Sequence, residues 1–294
     1  MPSLANHHSS SLVKLLLLGD AKTGKTTALA SLVSAGYLLR ILDFDNLLDG
    51  FAERVRDECP SRLDSVEYRS LRDAYKGTAA GTTIDGKPRA WIDSLKMLNR
   101  WQYDDIDLGI PAQWGPETIL VIDSLSRWCD AAYDFHEAMT PKGRSGDADG
   151  RAIYGNAQDD VEKQLANLTS PSFATNVIVI CHGNYMTQPD GTTKIFPQGV
   201  GQKLSPKIPQ YFPNYIRMTK RGEKRTLQLH SDAMIDLATS KPKAFAGRDL
   251  DAATGLAEFF RVLRDSPAKI EEGHIAPIGP NPPPHPKSLT LRRV

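Results

Sequence analysis

Short apolar runs alternate with stretches of helical spacing along most of the chain. Val13–Leu18, Tyr37–Phe44 (YLLRILDF), Thr118–Ile122 (TILVI) and Asn176–Cys181 (NVIVIC) are runs of strand length. Runs of this kind mark strands buried on both faces, as in a parallel sheet. Between them, apolar residues recur at helical spacing: Ala28, Leu29, Leu32 and Val33, then Ala90–Trp101, a helix from Leu125, Asp159–Leu168 and, last, Leu256–Leu263. Tyr211–Met218 and Arg225–His230 alternate in the manner of later strands. Strands alternating with helices predict an α/β fold, a mostly parallel twisted sheet with helices on both faces.

Four segments interrupt the pattern. Residues 1–11 are polar and read as a disordered tail. Thr140–Ile153 (TPKGRSGDADGRAI) and Gly183–Pro209, rich in Gly, Pro, Thr and Lys, read as long loops. Loops of that length are usually functional or disordered. After Ser266 the chain turns Pro-rich (PIGPNPPPHPK), the composition of an extended, flexible tail. The expected organisation is a core of residues 12–265 between two tails.

Composition narrows the setting. No apolar span has the length of a transmembrane helix, and Leu15–Leu18 is too short for a signal-peptide core. Cys59, Cys129 and Cys181 are dispersed and odd in number, with neither zinc spacing nor a disulfide framework. The expectation is a cytoplasmic protein with no membrane partner. A formal net charge of +1 hides an asymmetry: Asp43–Asp73 holds nine acids against five arginines, whereas Lys194–Arg225 holds eight basic residues against Glu223 alone. A basic stripe that dense suggests a polyanion such as nucleic acid; the competing reading is a solvated face of scattered cations.

The candidate chemistry starts directly after the first apolar run. Gly19, Asp20, Ala21, Lys22, Thr23, Gly24, Lys25 and Thr26, with Thr27 next, fit G-x-x-x-x-G-K-[ST] between a strand and a helix. The glycines allow a tight turn whose N–H groups face a phosphate, and the helix start adds positive potential. Lys25 has the reach for β and γ phosphates, and the Thr26 hydroxyl suits Mg²⁺. ATP and Mg²⁺ are the expected ligands. Asp123, ending TILVID, is the candidate carboxylate for the Mg²⁺ complex, and equally a helix N-cap. Hydrolysis needs a group that orients water. Asp43 and Asp45 both lie at the end of the second strand, where a doubly wound sheet collects its ligands, and either suits that task or a helix cap. His182 follows NVIVIC and should emerge at the same edge, as a γ-phosphate contact or a structural residue.

LLLLGDAKTGKTT, ILDFDNLLD, TILVIDSLS and NVIVICHGN resemble, in order and spacing, the core of the RecA-like recombinases, over about Val13 to Arg248. The chain is similar to the short, core-only RecA-like ATPases that bacteriophages encode for recombination and annealing, often labelled AAA-family ATPases. The resemblance implies a RecA-like P-loop NTPase fold. It places Asp45 where that family has a water-activating Glu, one methylene longer, and His182 where its bacterial members usually have Gln. It places the two long loops where the family keeps its DNA-binding loops, making Lys142, Arg144, Arg151, Lys194, Lys203 and Lys207 candidate DNA contacts, with Tyr185, Phe196 or Tyr211 for base stacking. Lys241 and Lys243 match loosely a lysine pair that reaches a neighbouring subunit's ATP, the competing reading being two surface lysines. The implied partners are single-stranded DNA, further copies of the chain in a ring or filament, and a single-strand-binding protein; the implied compartment is the host cytoplasm.

The reading that follows is a DNA-dependent ATPase of phage recombination, replication or annealing. The alternatives are a nucleotide-gated DNA-binding or annealing module with negligible turnover, and a packaging or helicase-type motor. A GTPase lacks support, since no N-K-x-D follows the phosphate loop. A small-molecule kinase leaves the basic stripe unexplained.

Overall fold

A computed structural model describes residues 12–79, 81–141 and 149–265. The first half runs β1 (Lys14–Gly19), α1 (Lys25–Ala28), α2 (Ala30–Ser34), β2 (Leu38–Asp43), α3 (Asp49–Glu58), β3 (Val66–Ser70), β4 (Tyr75–Thr78), β5 (Gly81–Ile84), α4 (Ala90–Asn99), β6 (Trp101–Tyr103), β7 (Ile106–Gly109) and β8 (Gly115–Asp123). The second half runs α5 (Leu125–Met139), α6 (Gly150–Thr169), β9 (Thr175–Cys181), β10 (Gly183–Thr187), β11 (Thr193–Pro197), α7 (Gly201–Leu204), β12 (Asn214–Arg221), β13 (Lys224–Gln228), β14 (Leu250–Asp251) and α8 (Gly255–Arg264).

An eight-stranded sheet in the order β14-β13-β12-β1-β9-β8-β2-β3 carries the fold. From β12 to β3 every neighbouring pair is parallel, and β13 and β14 close one edge antiparallel. Successive residues of a strand face opposite ways, and the apolar runs use this fully. Leu15 and Leu17 join α1, α2, α3 and α8 on one face, together with Ile119, Val121, Ile178 and Ile180. Leu16 and Leu18 join α4, α5 and α6 on the other, with Leu120, Ile122, Val177 and Val179. All of these strand residues are fully buried, and each such side chain contributes roughly 1.5–3 kcal/mol of transfer free energy. The expected α/β sheet with helices on both faces is therefore present. At the opposite end of β1 the Lys14 ammonium is buried, donating to the carbonyls of Phe173 and Thr175, both at 2.7 Å. Burial pushes its pKa down to about 7.

Parallel pairing puts the C-terminal ends of β1, β9, β8 and β2 at one edge, which brings Gly19, His182, Asp123 and Asp43–Asp45 together. β9 lies between β1 and β8. Among the described residues no helix is long and apolar enough to cross a membrane.

Two expectations need correction. Gly183–Pro209 is not a loop without structure: β10 and β11 pair antiparallel, and Ile195 packs into the core. The turn is built on Asp190-Gly191, with Gly191 at φ +82°. Asp-Gly between alternating segments is a hairpin signal; the surrounding Gly, Pro, Thr and Lys obscured it. Likewise, α6 begins at Gly150, so Arg151 and Ile153 are helical. Asp149 caps it, accepting from Arg151 N–H at 3.0 Å. Lys142 and Arg144 lie outside the described residues, as do residues 1–11 and 266–294.

Candidate active site

The phosphate loop leaves β1 at Gly19 and enters α1 at Lys25. Gly24 has φ +96°, a conformation open to glycine at no steric cost. Gly19 is fixed by space instead: a Cβ there would lie 2.8 Å from the Met218 carbonyl oxygen and 2.9 Å from Thr23 Oγ1. Thr23 Oγ1 donates to the Asp20 carbonyl at 2.9 Å, tightening the turn from within. The buried Lys25 ammonium donates to the Gly19 and Asp20 carbonyls at 2.8 and 2.9 Å, holding the charge inside the loop. Burial lowers the Lys25 pKa, while the carboxyl groups of Asp123, Asp45 and Asp20 oppose that shift.

Thr26 and Asp123 meet across 97 residues of sequence: Thr26 Oγ1 donates to Asp123 Oδ2 at 2.7 Å. Asp123 is buried, and desolvation, with the nearby charges of Asp45 and Asp43, pushes its carboxyl up to about 7 against the Thr26 hydrogen bond and the Lys25 charge. A hydroxyl beside a buried carboxylate short of positive charge is a hard-oxygen donor pair that fits Mg²⁺. Both residues singled out for the metal are thus brought together.

The structure separates the two candidate carboxylates. Asp43 is the last residue of β2, in register with Asp123, and its Oδ1 accepts from the Asn46 N–H at 2.7 Å. This stabilises a turn in which Asn46 takes φ +56°, and burial raises the Asp43 pKa. Asp45, past the strand end, points to the neighbouring strand ends. Its Oδ1 accepts from Ser124 Oγ at 3.1 Å, its Oδ2 lies 3.6 Å from His182 Nε2, and Arg127 Nε stands 4.0 Å away. Burial works against charge on Asp45, but its contacts with His182 and Ser124 and the Arg127 guanidinium outweigh it and hold the carboxyl below its ordinary range. Ser124 and Arg127 have no place in the sequence reading; their positions one and four residues after Asp123, at the start of a helix aimed from the same edge, are the signal that marks them.

Residues 11–236 match the AAA domain family. The chain belongs to that family. This AAA domain is a P-loop ATPase domain of the nucleotide-binding kind, with the mostly parallel sheet described above. No curated protein matches it. Among solved structures, the assembled ATPase EscN in complex with its central stalk EscO, from the type III secretion system of enteropathogenic E. coli, is 15% identical over 71% of this chain and 42% of that one, with a TM-score of 0.37. A prototypical ATPase from the type III secretion system of pathogenic bacteria is 13% identical over 85% of this chain and 62% of that one, with a TM-score of 0.40. The AAA domain spans less than two thirds of either, and at these scores neither bears on the site.

The other candidates are less concentrated. Lys194 pairs with Asp236 at 3.3 Å and Lys207 with Glu162 at 2.8 Å. Lys203 and Arg151 are exposed, with no side-chain ion pair among the described residues. Tyr185, expected to stack on bases, donates its hydroxyl to the Asp20 carboxylate at 2.9–3.0 Å, and Tyr211 donates to Glu162 at 3.2 Å. Lys241 is used within the chain: its ammonium donates to the Val262 carbonyl at 3.0 Å and to that of Asp265, capping the end of α8. Lys243 is exposed.

Proposed function

We propose that this AAA domain hydrolyses ATP slowly with Mg²⁺, and that single-stranded DNA is the partner that its nucleotide state controls, in phage recombination, replication or annealing. The observation that carries the hydrolysis reading is the convergence at one sheet edge of Lys25, the Thr26–Asp123 pair and the Asp45–His182 pair. The loop N–H groups and Lys25 bind the phosphates, Lys25 exchanging its two carbonyl partners for phosphate oxygens. Thr26 and Asp123 would hold Mg²⁺, which when bound neutralises phosphate charge. Asp45 orients the attacking water. Its side chain is one methylene shorter than the Glu of the recombinase core that the chain resembles, which is the ground for slow turnover. His182 sits between Asp45 and the β10–β11 hairpin, and so connects the γ-phosphate end of the site to that hairpin.

One observation favours the alternative of a nucleotide-gated module with negligible turnover: both Asp45 oxygens already face partners, Ser124 on one side and His182 on the other. Measuring phosphate release with and without single-stranded DNA separates the two readings.

Asp123→Asn keeps the size of the side chain and removes its charge. Mg²⁺-dependent turnover is expected to fall by about tenfold or more, with much less change in Mg²⁺-free nucleotide affinity. Turnover equal to the parent's would remove Asp123 from the metal site.

The support for DNA is the resemblance to the recombinase core together with the cations left unpaired. Lys203→Ala with Arg151→Ala should weaken oligonucleotide binding and reduce the salt slope by roughly 0.7 for each phosphate that is no longer neutralised. Lys194→Ala with Lys207→Ala should do less, because those charges are already balanced by Asp236 and Glu162. Anisotropy titrations at two salt concentrations check this; an unchanged affinity and slope in the first pair would take these two residues out of the DNA interface.

A further inference from the structure

The β12–β13 turn carries Lys220, Arg221, Lys224 and Arg225 against Glu223 alone. None of these four cations has a side-chain hydrogen bond or ion pair among the described residues. This sets them apart from Lys194, Lys207 and Arg217, which face Asp236, Glu162 and Asp20. Lys220 and Arg225 stand directly opposite each other in the ladder. Like charges in that relation are destabilising, so the pair lacks an anion.

Its position says which anion. Residues two apart share a face, so Arg225 follows Leu227 and Lys220 follows Met218, and both apolar residues pack with α1 and α2. Arg225 therefore projects on the α1 side, past the end of the core. There it lies against the phosphate loop: a Cβ placed on Gly24 would be 3.1 Å from Arg225 Cδ and 3.4 Å from its Nε. Gly24 is the loop residue that enters α1 beside Lys25.

We propose that Arg225, with Lys220 beside it, is a second cationic contact for the nucleotide, gripping from β13 the diphosphate that ADP and ATP share. It rests on the nucleotide-binding reading of the loop. Lys25 serves the phosphates from inside the loop, and Arg225 closes over them from outside. The absence of a Cβ at Gly24 lets the guanidinium lie this close. A planar guanidinium with five donors suits phosphate oxygens better than a second ammonium. Arg225 is exposed and outside the core, so its replacement leaves the fold intact.

The test uses the full chain and titrates ADP and ATP separately by calorimetry, and a labelled single-stranded oligonucleotide by anisotropy, with steady-state turnover alongside. Arg225→Ala is expected to weaken ADP and ATP alike by about tenfold, with kcat close to the parent's, and Arg225→Lys is expected to recover part of that affinity. Parental affinity for both nucleotides overturns the proposal. So does a loss confined to ATP, which would place Arg225 at the γ-phosphate, or a loss confined to a labelled single-stranded oligonucleotide, which would assign the turn to nucleic acid. If the parent itself binds neither nucleotide, the loop reading fails and takes the proposal with it. That failure appears before any Arg225 variant is measured and is distinct from the others.

Discussion

Asp45→Asn should bind ATP with near-parental affinity and release phosphate about a hundredfold more slowly or worse, the usual scale for losing a group that orients a nucleophile. The amide is the same size, can still accept from Ser124 Oγ, and keeps the strand end in place. It loses the charge that faces His182 and Arg127 and the ability to align water through two equivalent oxygens. Asp43→Asn should look different. Asp43 fixes the turn through the Asn46 N–H and is buried beside Asp123 in the ladder. Its replacement should first lower the melting temperature, with turnover falling as the turn loosens. Single-turnover assays beside thermal melts distinguish the two. If Asp43→Asn alone stopped hydrolysis, with an unchanged melting temperature, the assignment would be reversed.

Lys25→Ala should bring ATP affinity down by about a hundredfold, the effect of removing a desolvated, charge-assisted interaction with two phosphates. The fold should survive, because what the lysine contributes without a ligand is two hydrogen bonds to loop carbonyls, set against the cost of burying an ammonium. The melting temperature of the free protein is therefore expected to stay within a few degrees of the parent's, while the increase that saturating nucleotide gives the parent disappears. Calorimetric titration and melts with and without ATP measure both. Parental affinity in this variant would remove the loop from nucleotide binding.

The elements that sequence alone exposed are those whose signal is local. Strands buried on both faces read as unbroken apolar runs, and four of them fell where the sheet has β1, β2, β8 and β9. The phosphate loop is fixed by eight consecutive residues whose chemistry demands those types. Asp123 and His182 could be placed because parallel strands deliver their C-terminal ends to one edge. What could not be read was whatever depends on distant partners. Lys194 and Lys207 look free in the sequence; their acids lie 42 and 45 residues away, on segments brought near only by the fold. Lys241 finds the end of α8 in the same way. Asp43 and Asp45 have different surroundings because Asn46 turns the chain after β2, and a single Asn gives no warning of that. The β10–β11 hairpin was hidden because its one strong cue, Asp190-Gly191, sat in a stretch whose composition suits an open loop equally well. Once it is seen as a hairpin, its links to Asp20 through Tyr185 and, across His182, to Asp45 become its main feature.

Everything proposed for this sheet edge depends on ATP hydrolysis there. Phosphate release by the purified full chain, at saturating ATP and Mg²⁺, tests it most directly when measured with and without a single-stranded oligonucleotide and against the Lys25→Ala variant as the blank. Sustained release above the blank, slow alone and faster with the oligonucleotide, is the predicted result; release indistinguishable from the blank under both conditions would contradict it.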